Sequence, residues 1–278
     1  MPELTFNWMV VFYFFLGGLS MGSYFFSVAA NYWWKEFKPL ARIGAILPPI
    51  ALGIGMLTLL IDLGQPLRMW RLFSTFNPSA PLAWGSWFLI IFFALSTVYA
   101  VLLIKGGDEK AKKFAYIGLP FALTVGTYTA LALAAAPGKE LWQTALLPWL
   151  FLNGGFISGL ALVMLVSIGS QERAILSKLG KFVAILVSVE LGMLFTEIIV
   201  LLSGTTEAVM SARMLLAGDL SFLFWAVVII LGALVPIVVL FQTKLATTAY
   251  ANAIASALLL IGVYTTRYVL VIGPQIIN

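Results

Sequence analysis

Eight apolar runs, each about as long as the helix needed to cross a bilayer, follow one another along this chain, separated only by charged or Pro/Gly-rich interruptions. Roughly 20 residues of helix span about 30 Å of hydrocarbon, and the runs fall at approximately 7–31, 43–63, 82–104, 114–136, 148–168, 182–203, 221–241 and 246–272. Within each run the apolar residues are continuous rather than alternating. That disfavours a barrel and favours helices, which satisfy their own backbone polar groups in lipid. With 62% apolar and 10% charged residues, the solvent for this fold is lipid. The expected fold class is an all-α integral membrane protein with eight transmembrane helices.

An even number of crossings puts both termini on one side. The first, third, fifth and seventh connections carry Lys35, Lys38, Arg42, Lys105, Lys110, Lys112, Lys113, Arg173, Lys178, Lys181 and Lys244, whereas the termini and remaining connections carry only Arg68, Arg71, Lys139 and Arg213. Positive loops stay in the cytoplasm, so the expectation is a multi-pass protein of the inner (cytoplasmic) membrane with both termini outside. The net charge of +5 is then a topology signal and not a surface for polyanions. The first run lacks a basic leader and is too long for a signal-peptide core, so it reads as a retained span.

The longest connection, GQPLRMWRLFSTFNPSAP at 64–81, is too apolar and aromatic for a free loop; it is expected to lie along the membrane surface or under another protein. The segment 204–219, with Glu207, Arg213 and Met214, has the capping pattern of a short amphipathic helix. Eight spans divide into two four-helix bundles, residues 1–140 and 141–278, with a pocket expected in the first. Gly18 and Gly22 form a small-xxx-small pair in the first span, and Gly53 and Gly55 sit in the second. Such glycines serve tight helix packing or make room for a flat ligand.

The chain has no histidine and no cysteine. It therefore cannot supply imidazole or thiolate to haem iron, or hold a cysteine-bound iron–sulfur cluster or a usual zinc site. Any electron chemistry has to use an organic carrier and a partner protein.

Ionisable and hydroxyl groups are costly inside lipid, so each is a functional candidate. Asp62 falls at the outer end of the second span, and Glu197 and Arg267 fall in the outer parts of the sixth and eighth. Tyr13 and Tyr128 lie roughly 10 Å below the outer end of the first and fourth at 1.5 Å per residue. Tyr13, Gly17, Ser20 and Tyr24 are spaced i, i+4, i+7, i+11, Gly55, Thr58 and Asp62 form a similar stripe, and Thr124 shares a face with Tyr128. Such stripes should turn away from lipid. Glu190 and Glu197 are seven apart and face the same way. Arg267 is the depth-matched cation for Glu197, as a structural ion pair or as part of a proton path, while the deeper Glu190 is the better proton relay. Asp62 reads either as a proton-exchanging group or as a carboxylate at a helix end. No lysine lies within a span to form a retinal Schiff base, and only Pro48-Pro49 looks like the helix break of a transporter.

Four stretches carry a family resemblance: FLGGLSMG in the first span, DLGQPLRMWRLFSTFNPSAPLAWGSW from Asp62 to Trp87, YTALALAAAPGKELWQTALLP from Tyr128 to Pro148, and RYVLVIG from Arg267. In their order and placement they resemble the membrane subunits of the NrfD and polysulfide-reductase (PsrC-like) type. The resemblance implies a quinone-reactive membrane anchor subunit of a molybdopterin oxidoreductase complex. Its cofactor would be a quinone, menaquinone or ubiquinone, with no haem or iron–sulfur cluster in this chain. Its partners would be a four-cluster iron–sulfur subunit and a molybdopterin catalytic subunit docked on the outer face.

By position, Tyr128 matches the family tyrosine that hydrogen-bonds a quinone oxygen, and Asp62 matches the acidic residue beside the quinone pocket. Tyr13 stands where some relatives have histidine, and the family asparagine nearby aligns with Val10. Quinone binding is thus expected at Tyr13, Gly17, Asp62 and Tyr128, and proton transfer at Asp62, Glu190, Glu197 and Arg267. The competing readings are a proton- or ion-coupled transporter using Glu190, Glu197 and Arg267 without redox chemistry, and an inert anchor for an outer enzyme.

Overall fold

The structure is a computed structural model that describes residues 6–62, 81–136, 139–169 and 173–276. Among these residues eight helices are long and apolar enough to cross a membrane: Trp8–Trp33 (α1), Lys35–Asp62 (α2), Trp84–Ile104 (α3), Asp108–Ala134 (α4), Leu147–Val166 (α5), Arg173–Leu202 (α6), Leu223–Phe241 (α7) and Ala249–Ile276 (α8). No strand occurs among them. The chain is an all-helical multi-pass membrane protein, as its apolar runs predict. The aromatic connection expected on the membrane surface falls outside the described residues.

The helices outrun the apolar runs at their charged ends. α2 takes in Lys35, Lys38 and Arg42, α4 begins at Asp108 and includes Lys110, Lys112 and Lys113, and α6 includes Arg173, Lys178 and Lys181. Charge ends the hydropathy signal without ending the helix, because Lys and Arg are good helix formers whose long stems reach the water boundary. Asp108 and Glu109 stand in the first turn of α4, where the helix dipole favours negative charge. Pro48 and Pro49 do not break α2, which runs α-helical through both. The short helix expected near 204–219 is present as Thr206–Ala217, with the Thr205 hydroxyl accepting from Ala208 N at 3.5 Å.

α1 is the centre of the bundle. Of its most apolar stretch 83% is buried within the protein, against 28% for α6, and it packs on α2, α4, α5 and α8. Glycines set its closest approach to α5. A Cβ on Gly22 would lie 2.2 Å from Gly155 O, and one on Gly159 would lie 2.3 Å from Ser23 N. Gly18 and Gly22 thus meet a matching Gly155 and Gly159 pair, backbone to backbone, which is the packing use of a small-xxx-small motif. The polar stripe of α1 turns inward. The Ser20 hydroxyl lies 2.7 Å from Leu16 O and 3.2 Å from Pro48 O of α2, while the Tyr24 hydroxyl donates to Phe114 O of α4 at 2.9 Å.

Lipid faces the other side of the outlying helices. Ile50, Ile54, Leu57 and Ile61 form an exposed stripe along α2, opposite the glycine-bearing face. Exposed Trp8, Trp149 and Trp225 mark one end of the bundle, and Trp33 and Trp34 mark the other, the arrangement of interfacial aromatic belts. α7 departs from regular geometry, being π-helical over Leu223–Leu234 before an α-helical Val235–Phe241. Gly232 in the π segment meets Gly262 of α8 so closely that a Cβ on either would lie 2.5 Å from the other's Cα.

Candidate functional site

Two polar clusters stand inside this bundle. The first is at the end where α1 begins and α2 ends. Asn7 caps α1, its side-chain oxygen accepting from Met9 N at 2.7 Å and Val10 N at 3.3 Å. Its amide nitrogen donates to Asp62 Oδ1. Asp62, the last residue of α2, is thereby tied to the first turn of α1.

About two turns further in, Tyr13 is 4% exposed and its ring lies over Gly55 of α2, whose Cβ would meet Tyr13 Cδ2 at 3.4 Å. Tyr128 of α4 is half-buried. Its ring rests on the bare Cα of Gly85 in α3, where a Cβ would fall 2.0 Å from Tyr128 Cζ. The two tyrosines are near enough to interact electrostatically. Gly17, one turn from Tyr13, faces Val125 of α4, with Val125 Cγ1 3.7 Å from where its Cβ would sit. The structure therefore brings Tyr13, Gly17 and Tyr128 together where α1 meets α4, with Asp62 nearer the helix ends. Thr124, expected to share the tyrosine's face, donates to its own helix at Pro120 O, 2.9 Å away.

The second cluster is built on α5, α6 and α8. Arg267 is 2% exposed, donates from Nη2 to Phe151 O at 2.8 Å, and holds its Cζ 4.4 Å from the centre of the Phe151 ring. Its Nε and Nη1 have no hydrogen-bond partner among the described residues. Glycine makes its seat: a Cβ on Gly18 would lie 2.6 Å from Nη2, and one on Gly154 would lie 3.8 Å from Nη2 and 3.4 Å from Glu190 Oε1. Glu190 and Arg267 interact electrostatically without forming one of the ion pairs within 4.0 Å found among the described residues, which are Lys38–Asp108 and Lys178–Glu36. Asn153 stands beside Glu190 and donates to Leu186 O at 3.0 Å.

Glu197 is 3% exposed. It faces Thr144 of the connection before α5, yet neither its oxygens nor the Thr144 hydroxyl completes a hydrogen bond among the described residues. The depth-matched pairing of Arg267 with Glu197 is thus corrected: the cation lies beside Glu190. Each acid lines a small cavity of its own. One of about 20 Å³ is lined by Glu190 and one of about 10 Å³ by Glu197, and Leu194, Val228 and Thr266 wall both. The first is large enough for a water molecule and the second is at the margin. The π segment of α7 supplies Val228 to each.

Sequence reasoning missed Asn7, Gly85 and Asn153. Asn7 carried a signal, being an asparagine immediately ahead of an apolar helix, and so did Asn153, a polar amide inside a span. Gly85 carried none, since its role is set by a ring arriving from another helix.

A profile of the family described as "Polysulphide reductase, NrfD" matches residues 1–278. A polysulfide reductase chain of Wolinella succinogenes is 27% identical over 268 residues, covering 84% of this chain and 82% of the relative. A selenate reductase subunit of Mesobacillus selenatarsenatis is 23% identical, covering 96% of this chain and 73% of the relative. A protein of Archaeoglobus fulgidus named Hdr-like menaquinol oxidoreductase integral membrane subunit is 23% identical, covering 93% and 68%. With a match over its whole length to that profile, this chain of membrane-spanning helices belongs to the NrfD family.

Proposed function

We propose that this chain is the membrane anchor subunit of a reductase complex and that it exchanges electrons between membrane quinone and a redox centre held by a partner, with accompanying proton transfer. The observation that supports the reading is the closeness of Tyr13 of α1 to Tyr128 of α4, with the Asn7-bound carboxylate of Asp62 nearer the same helix ends. The names of the relatives support it, being those of a reductase chain, a reductase subunit and a menaquinol oxidoreductase membrane subunit. The partner proposed is a four-cluster iron–sulfur subunit, itself joined to a molybdopterin subunit, docked at the end of the bundle that carries Asp62 and outside the cytoplasmic membrane.

The donor set fits a quinone. Two phenol hydroxyls lie in a low-dielectric interior where a hydrogen bond to a carbonyl oxygen is strong, and a carboxylate stands nearer the boundary. When bound, a quinone supplies two-electron, two-proton redox chemistry. Tyr128 would donate to one of its oxygens, its ring held in place by Gly85. Tyr13 would contribute the second polar contact, and Gly17 the clearance between α1 and α4. Asp62 would exchange protons with water at the helix end, its orientation held by Asn7. Glu190 and Glu197 would form a separate proton route through the two neighbouring cavities that they line.

The test is Tyr128→Phe in the assembled complex. Quinone-dependent turnover should fall while partner subunits still copurify; unaltered turnover removes Tyr128 from the site. A second reading, a proton- or ion-coupled transporter, is favoured by one observation: Glu190, Glu197 and Arg267 lie on helices other than those of the tyrosines. A purified protein free of quinone and of any iron–sulfur partner would support the transporter over the anchor.

A further inference from the structure

At the end of the bundle opposite Asp62, a groove of about 290 Å³ opens between α1, α5 and α6, walled chiefly by Phe25, Trp33, Phe156, Leu160, Phe182 and Leu186. Among the described residues its lining is aromatic, aliphatic or glycine, with no carboxylate, hydroxyl or amide side chain. The indole N–H of Trp33 is turned to the Tyr116 hydroxyl at 3.1 Å. A ligand whose recognition depends on a hydrogen bond to a carbonyl, such as a quinone ring, finds among the described lining residues only the indole N–H of Trp34 besides that of Trp33. A hydrocarbon chain meets what it needs, since a groove this size left empty beside lipid forfeits its dispersion contacts.

Charged residues neighbour the groove's lining in the chain. Trp34 closes edge-on against Phe182 with ring centres 5.8 Å apart. Next to this pair in the chain stand Lys35 and Lys181, both exposed. Lys178, one turn before Phe182, is neutralised by Glu36 at 2.6 Å, a bridge that also fixes the α1–α2 turn to the start of α6. Two exposed cations with no ion-pair partner within 4 Å among the described residues thus adjoin in the chain the residues that line an apolar slot, and basic pockets between spans hold acidic lipid headgroups.

We propose that this groove is a lipid site that takes an acyl chain of an anionic phospholipid, whose phosphate is held at the mouth by Lys35 and Lys181. The site is independent of the quinone reading, because it lies at the other end of α1 from Tyr13.

The experiment is native mass spectrometry of the full chain in detergent, titrated with phosphatidylglycerol and with phosphatidylcholine of the same acyl chains. Phosphatidylglycerol should be retained preferentially. Replacing Lys35 and Lys181 by alanine should weaken its retention roughly fivefold per lysine and that of phosphatidylcholine less, because the choline cation already opposes the lysines. Leu186→Trp should fill the slot and abolish retention of both. The two lysine variants lie on the surface and keep the test independent of folding if the tryptophan variant is unstable. Equal retention of the two lipids by the unaltered protein overturns the proposal. So does labelling of the α1 segment Phe25 to Trp33 by a photoreactive quinone that Leu186→Trp displaces, or a dimer that breaks when the groove is filled.

Discussion

The Arg267 guanidinium and the Glu190 carboxylate face one another across the bare Cα of Gly154, close enough to interact and too far apart for a contact ion pair. Each is buried, and each has local support: Arg267 has the Phe151 carbonyl and ring, and Glu190 has Asn153. Such an arrangement keeps two opposite charges in the interior without locking them together. It suits groups that have to respond to a change in each other's proton or in a neighbouring water.

Removing one member of this pair leaves the other as an uncompensated buried charge. Arg267→Met should therefore destabilise the protein by about 3 kcal/mol, and Glu190→Gln with Arg267→Met should cost less than Arg267→Met alone. Unfolding in mild detergent would measure the cycle; additive losses would mean that the two charges do not feel each other.

The glycines of α1 separate by what stands opposite them. Gly22 abuts the backbone of Gly155, so Gly22→Ala should cost about 2 kcal/mol or more through overpacking and impair insertion or thermal stability. At Gly17 the added methyl would meet only Val125 Cγ1 at an ordinary 3.7 Å, and alanine is the better helix former. Gly17→Ala should leave stability unchanged while reducing quinone turnover; if turnover is also unchanged, Gly17 is not part of the site.

Why the sequence located one of these pairs and misassigned the other is a matter of geometry. Gly18 and Gly22 announce themselves because i, i+4 small residues on a membrane helix have few other uses, and the helix they meet carries the same spacing at Gly155 and Gly159. The eight spans and the short helix at 206–217 were legible from hydropathy and capping for the same local reasons. Arg267 was not. Ending the last span at Ile272 rather than Ile276 raises Arg267 by about one turn, roughly 6 Å, and that is enough to pair it with Glu197 instead of Glu190. Charged stretches hid the true starts of α2, α4 and α6 because water-reaching lysines stay helical. The π geometry of α7 had no local signal, since it accompanies a Gly232–Gly262 contact between two spans.

Gly85 positions Tyr128 by having no side chain. A methyl group there would fall inside the tyrosine ring, so Gly85→Ala should swing the ring away and lower quinone-dependent turnover as much as Tyr128→Ala does, although no atom of residue 85 is proposed to touch the quinone. Spectroscopic or inhibitor binding at the quinone site would report the displacement. Turnover in Gly85→Ala matching the unaltered protein would show that the ring's position is unimportant.

The Asn7–Asp62 link separates orientation from acidity. Asp62→Asn keeps an acceptor for the Asn7 amide, so α1 stays capped and stability should be nearly unchanged, while proton-coupled turnover falls. Asn7→Ala removes the cap and should cost about 1 kcal/mol, with a smaller loss of turnover because the carboxylate remains. If both variants lose turnover in proportion to stability, Asp62 is a packing residue at a helix end.

The two acids of α6 line separate cavities no larger than one or two waters, and Val228 walls both. Val228→Leu adds one methylene where that water would sit, at an overpacking cost of about 1 kcal/mol, whereas Val228→Ala enlarges the space. If a hydrated path connects Glu190 to Glu197, the leucine variant should slow proton uptake several-fold in vesicles containing the complex and a pH-sensitive dye, and the alanine variant should not. Electron transfer in a detergent assay, where both sides of the membrane share one pool of protons, should be much less affected by either. A leucine variant that takes up protons at the original rate would mean that the acids work separately, each with its own access to water.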